Sequence, residues 1–156
     1  MKSEAVDLVF RAPFDQVNLQ CLAKILSENA APLFNYPEGA TAISFEEIVS
    51  VFRISDCDLV FQDGNLNAGN RLIEHVFINP AKTGNDFEIL FFFDLKDLKI
   101  ESRKDALDCL QEFSRSFASE FNFNTFICRV DGDDDEDYYF DNGGYGPFYF
   151  KTIEES

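Results

Sequence analysis

Between Ser102 and Phe121 the apolar side chains Ala106, Leu110, Phe113, Phe117 and Phe121 fall at spacings of 4, 3, 4 and 4. That is one stripe of an amphipathic helix, with Glu112, Arg115 and Glu120 on its outward side. Ser102, followed three residues later by Asp105, supplies a weak capping box at its start. Just before it, "DFEILFFFDL" (86–95) holds the uninterrupted run Ile89 to Phe93. Such a run predicts a strand covered on both faces, hence central in its sheet.

The rest of the chain reads less sharply. "AVDLVF" (5–10) alternates weakly and predicts a strand ended by Pro13. From Asp15 the positions Val17, Cys21, Leu22, Ile25 and Leu26 recur at helical spacing until Pro32 stops them. Residues 33–42, with Pro37 and Gly39, read as a loop. "SFEEIVSVFRI" (44–54) is open to two readings: Ser44 with Glu47 fits a capping box, while Val49, Val51 and Ile54 suit a strand. A short helix is favoured. After Cys57, "DLVFQ" (58–62), an Asp63-Gly64-Asn65 turn signal, "RLIEHVFIN" (71–79) and the 86–95 run predict a meander of three antiparallel strands. Beyond the long helix, "NTFICRVD" (124–131), "DYYFD" (137–141) and "PFYFKTI" (147–153) read as strands. Asn142-Gly143 predicts a type I′ hairpin turn, and Pro147, unable to donate to a ladder, puts the last strand at an edge or marks where it begins. The pattern describes a single α+β domain over residues 1–156: an antiparallel β-sheet with a long Phe-faced helix and an N-terminal helix packed on it.

Composition narrows what such a domain could do. The chain has 156 residues, 46% of them hydrophobic, with 19 Phe, no Trp and one Met. That supports a real core and argues against disorder. Thirteen basic residues against 29 acidic ones leave a formal net charge of −16. This opposes binding to nucleic acid or an anionic membrane and favours cationic partners. "MKSEAVDLVF" lacks the apolar core of a signal peptide, and "ILFFF" is far too short to span a membrane. Cys21, Cys57, Cys109 and Cys128 contain no C-x-x-C spacing, so reduced core residues in the cytoplasm are expected rather than disulfides or zinc ligands.

Catalytic chemistry finds little to stand on. The sole histidine, His75, sits in "LIEHVFI" between alternating apolar residues and reads as a solvent-facing or satisfied strand residue. No cysteine is placed beside it with an orienting third group. G-x-S-x-G, P-loop and G-x-G-x-x-G motifs are all missing, and nothing singles out two carboxylates in contrasting environments. A non-enzymatic protein without cofactor or metal is expected.

What stands out is "RVDGDDDEDYYFDNGGYGPFYF" (129–150). Asp131, Asp133, Asp134, Asp135, Glu136 and Asp137 follow one another with no basic residue between them. An EF-hand comparison fails on geometry. Asp131, Asp133 and Asp135 match the first, third and fifth positions, but Glu136 stands where the turn needs glycine and Asn142 where a bidentate Glu is needed. A like-charge run is commonly just a solvated loop. Yet Tyr138, Tyr139, Tyr145 and Tyr149 gather in the same segment, and a solubility loop needs no tyrosines. Carboxylates speed encounter with a cationic partner, while tyrosines anchor binding hot spots. The candidate partner-binding set is therefore the six acids with Tyr138, Tyr139, Asp141 and Tyr145.

In size, charge and element pattern, and specifically in "DFEILFFFDLKDL" (86–98) before a Phe-rich helix and the closing "YYFDNGGYGPFYF" (138–150), the chain resembles the immunity proteins of bacterial toxin systems, including contact-dependent growth inhibition systems. The resemblance implies a cytoplasmic protein that binds one cognate toxin domain, often a basic nuclease, and blocks it. Asp and Glu side chains would stand in for substrate phosphates against the toxin's Lys and Arg. Two other readings stay open: an intracellular adaptor or scaffold binding a basic peptide or domain, and a carboxylate-based enzyme.

Overall fold

Eight strands form one antiparallel sheet, and the helices lie against one of its faces. The computed structural model describes residues 1–40, 44–130 and 136–155. The order of elements is β1 (Ala5–Pro13), α1 (Gln16–Leu19), α2 (Cys21–Glu28), β2 (Leu33–Tyr36), α3 (Phe45–Ile54), β3 (Cys57–Ala68), β4 (Arg71–Thr83) and β5 (Asp86–Asp94). A 3₁₀ turn at Leu95–Leu98 leads to α4 (Arg103–Phe121), followed by β6 (Thr125–Val130), β7 (Tyr138–Asp141), β8 (Gly144–Tyr145) and α5 (Pro147–Glu155). Across the sheet the order is β2-β3-β4-β5-β1-β6-β7-β8. This is the α+β arrangement the sequence pattern predicts.

The helix at 103–121 forms as expected. Ser102 accepts a hydrogen bond from the Asp105 backbone N–H, and all five stripe residues are buried. Phe117 lies 4.6 Å from Phe10 and 5.9 Å from Phe91, ring centre to ring centre, so the stripe sits on β1 and β5. α3 is also helical: the Ser44 side chain accepts from the Glu47 N–H, and Phe52 packs edge-on against Phe87 at 5.8 Å. Lys82, from β4, donates to the carbonyls of Phe52 and Ser55. It thereby satisfies groups that the end of α3 leaves open. Three of the four cysteines are buried and all four are free. Burial raises the Cys57 thiol to about 12, with the Asp58 charge adding to the effect, so it is held as an unreactive thiol.

Four sequence expectations are corrected. Residues 33–36 form the edge strand β2, not a loop. Asp63-Gly64-Asn65 is not the β3–β4 turn, which falls at Gly69-Asn70 between the paired Ala68 and Arg71. Instead Gly64 marks an irregularity inside β3. There a Cβ would stand 2.9 Å from Ile78 Cδ1 and 3.1 Å from the Val76 carbonyl oxygen, so the neighbouring strand approaches too closely for a side chain. β5 is central but not equally covered: Phe87, Ile89, Phe91 and Phe93 are buried, while Leu90 and Phe92 are half-buried. Finally, 147–153 is the helix α5, not an edge strand. Pro147 occupies its first turn, where a missing N–H costs nothing, and Tyr149 and Thr152, three apart, are buried on one side. The aromatic run's β preference yields to that packing.

Candidate partner-binding surface

Asp131, Asp133, Asp134 and Asp135 lie outside the described residues. Glu136 and Asp137 are exposed, and the Val130 N–H donates to the Asp137 carbonyl, which ties the end of β6 to the residue before β7. The Asn142-Gly143 hairpin forms, pairing Asp141 with Gly144 and Phe140 with Tyr145. Its turn is not the expected type I′, because positive φ falls on Gly144 rather than on Asn142 and Gly143. The Asp141 carboxylate instead accepts from the Gly143 N–H at 2.8 Å, an Asx-type turn.

The tyrosines part company. Tyr138 is half-buried and pairs across to Arg129. Its ring rests on Gly146, where a Cβ would come within 2.4 Å of it. Tyr139 is fully buried, its ring 5.1 Å from that of Phe148, and so offers no surface to a partner; this removes it from the expected contact set. The cause is a register shift between β6 and β7: Cys128 faces Phe140 and Arg129 faces Tyr138. The extra residue lets Tyr139 and Phe140 both enter the core. Burial, then the neighbouring Glu4 carboxylate, pushes the Tyr139 phenol pKa up. Glu4 in turn pairs with Arg103 at 3.0 Å.

Tyr145 joins a cluster that the sequence pattern did not predict. It stacks on Tyr149 with ring centres 3.8 Å apart, and both hydroxyls donate to Asp108 Oδ1, at 2.5 and 3.0 Å. Lys104 Nζ donates to Asp108 Oδ2 at 2.8 Å. Burial opposes the Asp108 charge, but the bonds from Lys104, Tyr145 and Tyr149 outweigh it and hold the carboxyl below its ordinary range. This ties α5 to α4. Reading α5 as a strand hid it.

The helix-free face of the sheet was also missed. Register places Phe77, Phe92, Asp7, Arg129 and Tyr138 in one row across β4, β5, β1, β6 and β7. The next row is Asn79, Leu90, Val9, Ile127 and Asp141. Val9 is buried yet lies outside the main core cluster, and half-buried Phe77, Leu90, Phe92 and Ile127 do not pack on that cluster either. These side chains therefore look away from the helices. On the same side, Arg11 pairs with Glu88 at 2.8 Å and Arg129 with Asp7 at 3.7 Å. Near the first row a groove of about 440 Å³ is lined by Phe77, Phe92, Gln62, His75, Asp94 and Asp97, among others. At its rim His75 has a positive φ of 61° and meets the Asp63 carboxylate at 2.7 Å.

A model of the family described as PABL017 Cdi1I immunity protein matches residues 5–143. The chain belongs to that family. It is thus an immunity protein of the contact-dependent growth inhibition type, a toxin inhibitor that works by binding protein. The match runs from β1 through the Asn142-Gly143 turn and takes in the whole acidic run of residues 131–137. Among solved structures, a chain of the crystal structure of the toxic C-terminal tip of CdiA from Pseudomonas aeruginosa in complex with immune protein superposes with a TM-score of 0.63 at 13% identity. The superposition covers 94% of this chain and 99% of that one, so the likeness is one of fold. No curated protein matches. No helix among the described residues is long and apolar enough to cross a membrane.

Proposed function

We propose that this immunity protein acts in the cytoplasm, without catalysis of its own, by binding the toxic C-terminal tip of a CdiA-type protein and neutralising it. The family match over residues 5–143 carries the reading. The net charge of −16 favours a basic tip, of the kind that handles nucleic acid, since a surface that attracts phosphate also attracts carboxylates. Acids of 131–137 steer the encounter, and the half-buried tyrosines near them in sequence help hold the complex. Tyr138 and Tyr145 remain in that contact set with Glu136, Asp137 and Asp141, while Tyr139 serves the core.

The test is co-expression with the cognate toxin tip. Growth should be restored, the two proteins should copurify, and the tip should lose its activity on nucleic acid in the complex. Continued growth arrest despite soluble, folded immunity protein would overturn the reading. Protection without any physical complex would instead favour an enzyme acting on the toxin or its product.

A further inference from the structure

We propose that the toxin tip docks on the helix-free face of the sheet, with a basic side chain seated in the groove between Phe77, Phe92 and Asp94. This rests on the immunity reading above and adds which surface does the work. An antiparallel sheet commonly leaves one face to solvent, but that face then reads as polar. Here it does not. The central row sets half-buried Leu90 and Ile127 on either side of buried Val9 across β5, β1 and β6, an apolar strip that none of the described helices covers.

Charge identifies the occupant. Two cations on this face, Arg129 in the first row and Arg11 on β1 beyond the second, each face an acid of the same surface. Asp94 and Asp97 line the groove, and Asp63 lies against the His75 ring at its rim. An aromatic floor with carboxylates at its rim suits an arginine or lysine head. The apolar strip next to it suits the hydrophobic centre of a protein interface, and the acids around it suit a charged rim. The outer face of α4 is different: Lys104, Arg115, Asp108, Glu112 and Glu120 mix both signs without an apolar strip. The occupant is therefore a basic, partly apolar protein surface.

Leu90→Arg and Ile127→Arg place a cation in the strip, and Ser116→Arg places the same charge on the exposed side of α4. Binding of the cognate tip should weaken roughly 100-fold or more for the two sheet variants, because like charges would face each other across a desolvated contact. Ser116→Arg should stay within about threefold of wild type. Should an arginine variant fail to fold, Leu90→Ala and Phe92→Ala replace it, with losses of roughly tenfold expected. Sheet variants that bind like wild type, or a loss confined to Ser116→Arg, overturn the proposal. So does a wild-type dimer that Leu90→Arg splits while the tip still binds, which assigns the face to a second copy. A wild-type chain that binds no tip defeats the immunity reading itself, and this inference falls with it.

Discussion

On β1, Val6, Leu8 and Phe10 are fully buried beneath the helices, while Asp7, Val9 and Arg11 look out from the other side. The same alternation runs through β5, where Ile89, Phe91 and Phe93 pack inward and Leu90 and Phe92 do not. Each strand therefore does two jobs at a spacing of two residues. On the helix side, the ring of Phe117 meets Phe10, Phe91, Phe113, Phe121 and Phe123, and that shared packing holds the fold. On the other side, apolar area is left wet although its burial would stabilise the chain. If the toxin tip docks here, as proposed above, that apolar area is buried in the complex instead.

Truncating one ring on each side separates the two faces most strongly. Phe117→Ala should cost about 3–5 kcal/mol, a large share of a typical total of about 5–15 kcal/mol. Phe92→Ala should cost less, about 1–2 kcal/mol, since a partly exposed ring has less area to lose from burial. Denaturant melts read both values. Equal losses would mean that the second face is also a core.

Gly146→Ala comes next. Its Cβ would fall 2.4 Å from the Tyr138 ring and 2.6 Å from the Tyr138 carbonyl oxygen, so ring and backbone must shift, at about 1–3 kcal/mol. A melting temperature equal to wild type would show that Tyr138 gives way freely. The smallest effect concerns Asp108. Its carboxyl is depressed in the folded chain, so its contribution is present above the ordinary value of 3.8 and is lost as pH falls through the depressed one. Asp108→Asn should therefore be less stable than wild type at neutral pH, with the gap narrowing in acid. A gap that stays constant with pH would rule out the charge as the cause.

How far the sequence revealed this molecule depended on whether a pattern had one meaning. The spacing of Ala106, Leu110, Phe113, Phe117 and Phe121 fits only a helix, and Ser44 with Glu47 resolved an ambiguous stretch in favour of a cap. Asp63-Gly64-Asn65 carried two meanings, turn or irregular strand, and close approach of Val76 and Ile78 decided it. "PFYFKTI" carried two as well; proline in the first turn and the burial of Tyr149 and Thr152 outweighed the β preference of its aromatics. The apolar run Ile89 to Phe93 fits a strand covered on both faces as well as one covered on a single face, because such a run does not say whether a second layer exists. That same gap hid the helix-free face. Of the expected contact residues, Tyr139 was lost to a one-residue register shift, which local sequence does not encode.

The claim that acidity serves recognition of a basic toxin is tested most directly by association kinetics. Asp133, Asp134, Asp135 and Glu136 are neutralised together to Asn and Gln, and the rate of binding to the cognate tip is measured at low and high salt. Stability should hold, because surface charges contribute little to it. The association rate should fall by roughly tenfold or more at low salt and lose most of its salt dependence, with dissociation little changed. A neutral variant that associates as fast as wild type at both salts, and protects as well, would contradict the account.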